Sequence, residues 1–455
     1  MTGAQLGDGN LWLHFTKTGQ WLDGEPQVPL LDSGEGCTVT AADGTRYLDG
    51  LSALYCAQLG YGRDDLVEAA TAQLRRLPFA TNWSVAHQPA IDLAAAIAER
   101  FPGDVDHVFF VNSGSEAVES AMKLALQYHR LNGEDRTKFI SRMHAYHGTT
   151  FGALSITGIP ALRKPFEPLR SGHFHAPNTN PYRCIASEAC PPCDLACARS
   201  LEQIVLAEGP DQIAAIVVEP VQNAGGSFTP PEGYLDEVRR ICDTYGILMV
   251  SDEVICGFGR LGEWTGAELY GVTPDLITFA KGVTSAYQPM GGVAFRRHVG
   301  DALRQEASLM YVHGSTWGGH PVAAAVGLAN IAAFEAEDVL GNVRTNGPWL
   351  GEQFREVAER RQIIGDVRGV GYFWAAELVR GRDPFVPFDA AEADVLVNEV
   401  LGPRVRELGL ICRIDARDAP VVQLAPPLVA DRQVLTEMLE ILDVALAEAG
   451  ERMRR

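Results

Sequence analysis

Between about residues 90 and 325 the sequence alternates stretches of helical periodicity with short apolar runs. That alternation dictates an α/β fold with a mainly parallel sheet. The runs that read as strands are 108–111, 138–141, 213–218, 247–250, 276–279 and 292–295. After the first of them Ala117, Met122, Ala125 and Tyr128 recur at roughly helical spacing, so a helix begins near Ser115. Residues 179–200 form a Pro- and Cys-rich insertion without clear periodicity.

The two ends follow other patterns. Residues 11–60 hold short strands such as 37–41 and 46–48, with Asp43-Gly44 as a hairpin signal. Residues 340–455 mix an amphipathic helix, strands near 369–377 and 408–414, and a last helix after Asp431. In that helix Val434, Met438, Leu442 and Leu446 form one apolar stripe, which core packing explains. At 455 residues the chain exceeds the length at which a single core stops growing. Two folded units are expected: a large one over 71–325, and a smaller α+β unit assembled from 1–70 and 326–455.

Chemistry-bearing residues gather where the apolar runs end. Ser251-Asp252-Glu253 closes one run, and Lys281, followed by Gly282, closes the next. Neighbouring strand ends of a parallel sheet bring such groups into one crevice. An amine facing a carboxylate across a planar heteroaromatic ring is the arrangement that pyridoxal phosphate requires, as Schiff-base lysine and partner of the pyridinium nitrogen. Glu219 ends the run before Asp252, and its convergence with the other two favours function over simple helix capping. Asn112-Ser113-Gly114-Ser115-Glu116-Ala117 opens a helix with small residues, and reads equally as a phosphate site or a plain helix cap. In His144-Ala145-Tyr146-His147-Gly148 the tyrosine either covers a flat ligand or is a buried aromatic with a satisfied hydroxyl.

Bulk properties narrow the partners. A net charge of −20 and a pI near 5.0 argue against nucleic acid or an anionic membrane surface. No apolar run has the length of a membrane helix, and the N-terminus shows no secretory signal, so a cytoplasmic enzyme is expected. Cys184, Cys190, Cys193 and Cys197 cluster in the insertion, and four thiolates can close a zinc site. Their spacing lacks the paired intervals of zinc ribbons, which favours reduced cysteines and no metal.

Taken together, these stretches resemble class III aminotransferases of the fold-type I pyridoxal-phosphate superfamily, in the ω-transaminase branch. Besides the motifs above, the resemblance rests on Glu219-Pro220-Val221, Pro231-Glu232-Gly233-Tyr234 and Asp252-Glu253-Val254-Ile255-Cys256-Gly257-Phe258-Gly259-Arg260. It continues through Phe279-Ala280-Lys281-Gly282 and His313-Gly314-Ser315-Thr316-Trp317-Gly318-Gly319-His320-Pro321. The motifs keep the family's order along nearly the whole chain.

The resemblance implies a homodimer, with dimer and tetramer left open, that passes an amino group from a primary amine or ω-amino acid to a keto acid, with pyruvate as the expected acceptor. Same-fold decarboxylases and aminomutases are the alternative. It also implies that Lys281 is the Schiff-base lysine, that Asp252 contacts the pyridine nitrogen, and that Val254 packs on the ring face opposite Tyr146. Gly114 and Ser115 would bind the phosphate. Thr316 would reach it from the neighbouring subunit, while Glu219 and His147 would support the cofactor. Arg413 resembles the mobile arginine that clamps the acceptor's carboxylate, and Arg417, four residues on, is the other candidate. Tyr55 stands where many relatives carry tryptophan, Asn82-Trp83-Ser84 where an aromatic pair is common, and Ser315-Thr316 where the family has Phe-Thr, so a substrate pocket more polar in places is expected.

Overall fold

A computed structural model of the chain describes residues 11–16, 28–188, 193–305 and 307–454. Residues 1–8 and Cys190, both used in the sequence reading, lie outside the described residues. Near the N-terminus β1 (Leu31–Glu35), β2 (Thr38–Ala41) and β3 (Arg46–Asp49) form an antiparallel meander. Asp43-Gly44 makes the second turn, where Gly44 has φ +86° and the Asp43 carboxylate accepts the Thr45 N–H at 2.9 Å.

The large sheet holds β4 (Val105–Val111), β5 (Lys138–Arg142), β6 (His173–Ala176), β7 (Ile213–Val218), β8 (Leu248–Asp252), β9 (Leu276–Phe279) and β10 (Gly291–Arg296). Their order is β4-β10-β9-β8-β7-β5-β6. All pairs from β9 to β6 are parallel, and β10 alone runs against its two neighbours. Every residue of β7 is buried. Ile216 and Val218 pack with the helices Ala196–Glu208 and Tyr234–Tyr245, whereas Ala215 and Val217 pack with the helix Gly114–Leu131. Helices on both faces explain why the strand runs are continuously apolar. Each fully buried Val or Ile contributes roughly 1.5–3 kcal/mol, so register in this sheet is strongly fixed.

The C-terminal part adds β11 (Ile364–Val370), β12 (Phe373–Leu378), a two-stranded ribbon of β13 (Gly381–Arg382) and β14 (Phe385–Val386), then β15 (Leu410–Ile411), β16 (Arg413–Asp415) and β17 (Val421–Leu424). A sheet of order β11-β12-β17-β16 packs against the helices Val339–Arg360 and Arg432–Met453. The last helix starts where expected: the Asp431 carboxylate caps it, accepting the Val434 N–H at 2.9 Å. Met438, Leu442 and Leu446 are buried along its stripe.

Some details differ from the sequence reading. The region around 369–377 is a hairpin of two strands, turned at Gly371 with φ +57°, where an added Cβ would meet the Arg260 carbonyl oxygen at 2.6 Å. The single strand read at 408–414 is two: β15 pairs in parallel with β3, and β16 pairs with β17. β6, with the polar sequence His173-Phe174-His175-Ala176, escapes detection because it is a short, half-exposed edge strand. A helix begins inside the Cys-rich stretch, at Ala196. Among the described residues no helix is long and apolar enough to cross a membrane.

Candidate active site

β7, β8 and β9 are neighbours in the parallel part of the sheet, so their C-terminal ends open on one edge. Glu219 is the first residue beyond β7, Asp252 is the last of β8, and Lys281 follows β9 after one residue. They face a cavity of about 410 Å³ that Tyr146, His147 and Val254 also line. The turn Ser113-Gly114-Ser115 lines it too.

Asp252 is buried but well supplied with donors. Thr278, its register partner on β9, donates its hydroxyl to Asp252 Oδ1 at 3.1 Å, and the Val254 N–H reaches the same oxygen at 3.2 Å. His147 Nδ1 lies 2.7 Å from Oδ2, while His147 Nε2 is buried without a partner. Glu219 accepts the Asn223 N–H at 3.0 Å through Oε2 and leaves Oε1 unpartnered. Burial raises the Glu219 pKa, against the pull of His147.

Lys281 has φ +45°, in the left-handed region that residues other than glycine rarely adopt. Among the described residues it makes no hydrogen bond or ion pair. Burial lowers its pKa below the ordinary amine range, although Cys56, Asp252 and Glu219 pull it upward. The amine is therefore held uncommitted and easier to deprotonate than a surface lysine.

The glycine-serine turn is a helix cap that also borders the cavity. Ser113 caps the 18-residue helix Gly114–Leu131, its hydroxyl accepting the Glu116 N–H at 3.3 Å. The N–H groups that follow stand at the positive end of that helix, next to the cavity. A Cβ on Gly114 would lie 2.8 Å from Val254 Cγ1, and one on Gly148 (φ +126°) would lie 2.4 Å from Ser115 Oγ. Both glycines thus let the turn close against the cavity wall.

The remaining candidates lie outside the cavity lining. Tyr55 is buried behind the wall, donating its hydroxyl to Gln423 Oε1 at 2.9 Å, while its neighbour Cys56 lines the cavity. Arg413, on β16, donates from Nε to Asp415 Oδ2 at 2.5 Å, and Arg417 Nε lies 3.7 Å from the same oxygen. Burial opposes the Arg413 charge, yet Tyr55 and Asp415 hold its pKa above the ordinary value. Burial lowers that of Arg417, and Arg413 adds to the effect. Trp83 is exposed and sits beside Gly314. Thr316 is exposed on the same turn, next to Ser315, whose Oγ accepts from Asn112 Nδ2. Cys184, Cys193 and Cys197 are free thiols.

Sequence reasoning missed Thr278, Cys56 and Asp415. Thr278 carries a detectable signal, a lone hydroxyl in an apolar run three residues before Lys281. Asp415 carries another, a carboxylate two positions after an arginine, and so on the same face of a strand.

The residues present fit a flat, phosphorylated aldehyde such as pyridoxal phosphate. An uncommitted amine stands by a buried carboxylate, a helix N-terminus can take the phosphate, and two buried polar atoms on the wall, His147 Nε2 and Glu219 Oε1, lack partners.

Known proteins resemble the chain over most of its length. The family model described as aminotransferase class-III matches residues 23–446. The chain is similar to a probable aminotransferase of Mycobacterium tuberculosis, 44% identical over 442 residues that cover 97% of this chain and 93% of the relative. It is 37% identical over 422 residues to the putrescine–pyruvate aminotransferase of Pseudomonas aeruginosa, covering 92% of this chain and 90% of that one. Its structure is similar to that of an (S)-enantioselective omega-transaminase from Thermomicrobium roseum, with a TM-score of 0.90, 37% identity and 96% of each chain covered.

Proposed function

The chain belongs to the class-III aminotransferases, and on that footing we propose that it moves an amino group from a primary amine or ω-amino acid to a keto acid, pyruvate above others, in two alternating half-reactions. The observation that carries this reading is the uncommitted Lys281 amine beside the Asp252 carboxylate on one cavity, at adjacent strand ends. Similarity to a putrescine–pyruvate aminotransferase supports the choice of acceptor.

In this reading pyridoxal 5′-phosphate, when bound, supplies an electron sink for the carbanion left by breaking the substrate Cα–H bond. Ser113, Gly114 and Ser115 at the positive end of their helix would hold its phosphate, with Tyr146 and Val254 flanking the ring and His147 and Glu219 backing the site. The Asp252 charge, fixed by donors from Thr278 and Val254, would keep the ring nitrogen protonated. Lys281 would be the covalent attachment point. Once free, its amine would take the proton from the substrate Cα and deliver it two atoms along, to the carbon that had been the aldehyde, acting as base and then acid. Its lowered pKa serves the first of these roles. Arg413 would offer a bidentate fork to the acceptor's carboxylate, backed by the buried Tyr55, and the exposed Trp83 would shape the approach.

We also propose a homodimer. Thr316 is exposed amid the exposed apolar side chains Met310, Val312 and Trp317, a face suited to a second copy whose phosphate site Thr316 could reach. The free state of all described cysteines supports a reducing compartment, which we take to be the cytoplasm. The pairing of β15 with β3 supports treating 1–70 and 326–455 as one unit beside 71–325.

An amine-donor panel run with pyruvate and then 2-oxoglutarate, read as alanine or glutamate formed, tests the reaction. Lys281→Ala is expected to abolish turnover and borohydride labelling at position 281. Full activity in that variant refutes the mechanism. Carbon dioxide release, or conversion without a second substrate, would point instead to a decarboxylase or a mutase.

A further inference from the structure

The group facing Arg413 is a carboxylate of the chain itself. Arg413 and Asp415 lie two residues apart on β16 and so share one face of the sheet. Directly across from Arg413 in the ladder is Gln423. Its amide accepts the Tyr55 hydroxyl and donates to the Asn223 carbonyl oxygen at 2.9 Å, and the Asn223 N–H holds Glu219. That chain of contacts orients the face toward the cavity wall. On it, Asp415 Oδ2 lies between two guanidinium groups, 2.5 Å from Arg413 Nε and 3.7 Å from Arg417 Nε. The three side chains are only 13, 20 and 30% exposed for Arg413, Asp415 and Arg417, so water screens them far less than a surface pair.

We propose that Asp415 is a specificity-determining residue that occupies the Arg413 fork when the bound substrate is uncharged there, and passes to Arg417 when a keto-acid carboxylate takes Arg413. The inference rests on the reading of Arg413 as the acceptor clamp. Two arginines and one aspartate leave a single positive charge in excess, so the cluster is one anion short. Asp418 does not fill that place, because its Oδ2 is paired with Arg183 at 2.6 Å and its Oδ1 lies 3.8 Å from His144. Half-buried charge is costly unless paired. While an apolar amine occupies the site, Asp415 spares Arg413 from facing it uncompensated. When a carboxylate arrives, Asp415 needs a new partner, and Arg417 is already beside it. The tether of Asp418 to Arg183, with the Arg417 N–H on Asp415 Oδ1 at 3.3 Å, keeps Arg417 on station. Arg413 is then the arginine that moves, and Arg417 the one that stays.

The test uses the holoenzyme and its Asp415→Asn, Asp415→Glu, Arg417→Ala and Asp415→Asn/Arg417→Ala variants. Two quantities are read: propionate dissociation constants by calorimetry, and the ratio of KM for pyruvate to KM for butanal. Removing the internal competitor in Asp415→Asn should tighten propionate and lower the ratio about fivefold or more, and Asp415→Glu should restore it. Arg417→Ala should raise the ratio, and that effect should shrink once Asp415 is already neutral. Unchanged propionate affinity in Asp415→Asn, or an Arg417 effect of the same size in both backgrounds, overturns the exchange. A wild-type enzyme silent with both acceptors would instead sink the aminotransferase reading, while propionate binding would still decide the behaviour of the cluster.

Discussion

Lys281 is held against two ordinary preferences at once. Its backbone sits at a positive φ, and its amine is buried enough to lower its pKa. Strain of this kind persists where the surroundings over-determine it, and here Gly282 packs against Gln58 and Phe258 so closely that a Cβ would lie 2.9 Å from each. Arg413 presents the opposite case, a charge kept fully ionised by its neighbours. Replacing it with alanine removes a charged hydrogen-bond donor, a loss of roughly 1.5–3 kcal/mol, or about 10- to 150-fold in kcat/KM for a keto acid. Apolar aldehyde acceptors are expected to lose far less, and steady-state kinetics with both classes would show it. Equal losses would remove the clamp role. At this scale Glu219, Asp252 and Lys281 were legible in sequence because each ends an apolar run, whereas Cys56, on the same cavity, follows none. Asp415 was legible only as a neighbour of Arg413 on one strand face, since nothing along the chain shows that an edge strand turns that face toward a distant crevice.

Elements carry their own titration. Glu253, just past β8, is buried and accepts the Gly266 and Ala267 N–H groups, each at 2.8 Å, at the start of the short helix Gly266–Leu269. Burial raises its pKa from 4.5 to about 7, against the lowering effect of those bonds. The folded chain therefore holds a proton that the unfolded chain has released between those values. Its contribution to stability is complete below about 4.5 and is lost as pH rises to about 7. Thermal midpoints measured across that window should fall more steeply in wild type than in Glu253→Gln, and parallel slopes would discard the assignment. The central strands were readable because burial on both faces imposes an uninterrupted apolar run. β6 and the split of β15 from β16 were not, because an edge strand needs no apolar continuity and the choice of sheet depends on partners far along the chain.

For the whole molecule, the exposed apolar turn bearing Met310, Val312 and Trp317 is the feature that a monomer leaves unexplained. Val312→Glu is expected to shift sedimentation from dimer to monomer and to remove activity, because Thr316 would no longer reach a second subunit. A wild-type protein that sediments as an active monomer would refute this. The general plan of an α/β body was visible in the alternation of patterns, whereas the joining of distant stretches of the chain through β3 and β15 was not. That joining has a consequence during biosynthesis. At ribosomal speeds of about 5–20 residues per second, the partner strand for β3 leaves the exit tunnel roughly 20–70 s after β3 itself, some 360 residues later. Through that interval the nascent chain carries an unsheltered strand edge, which makes the first fifty residues the natural place for a chaperone to hold.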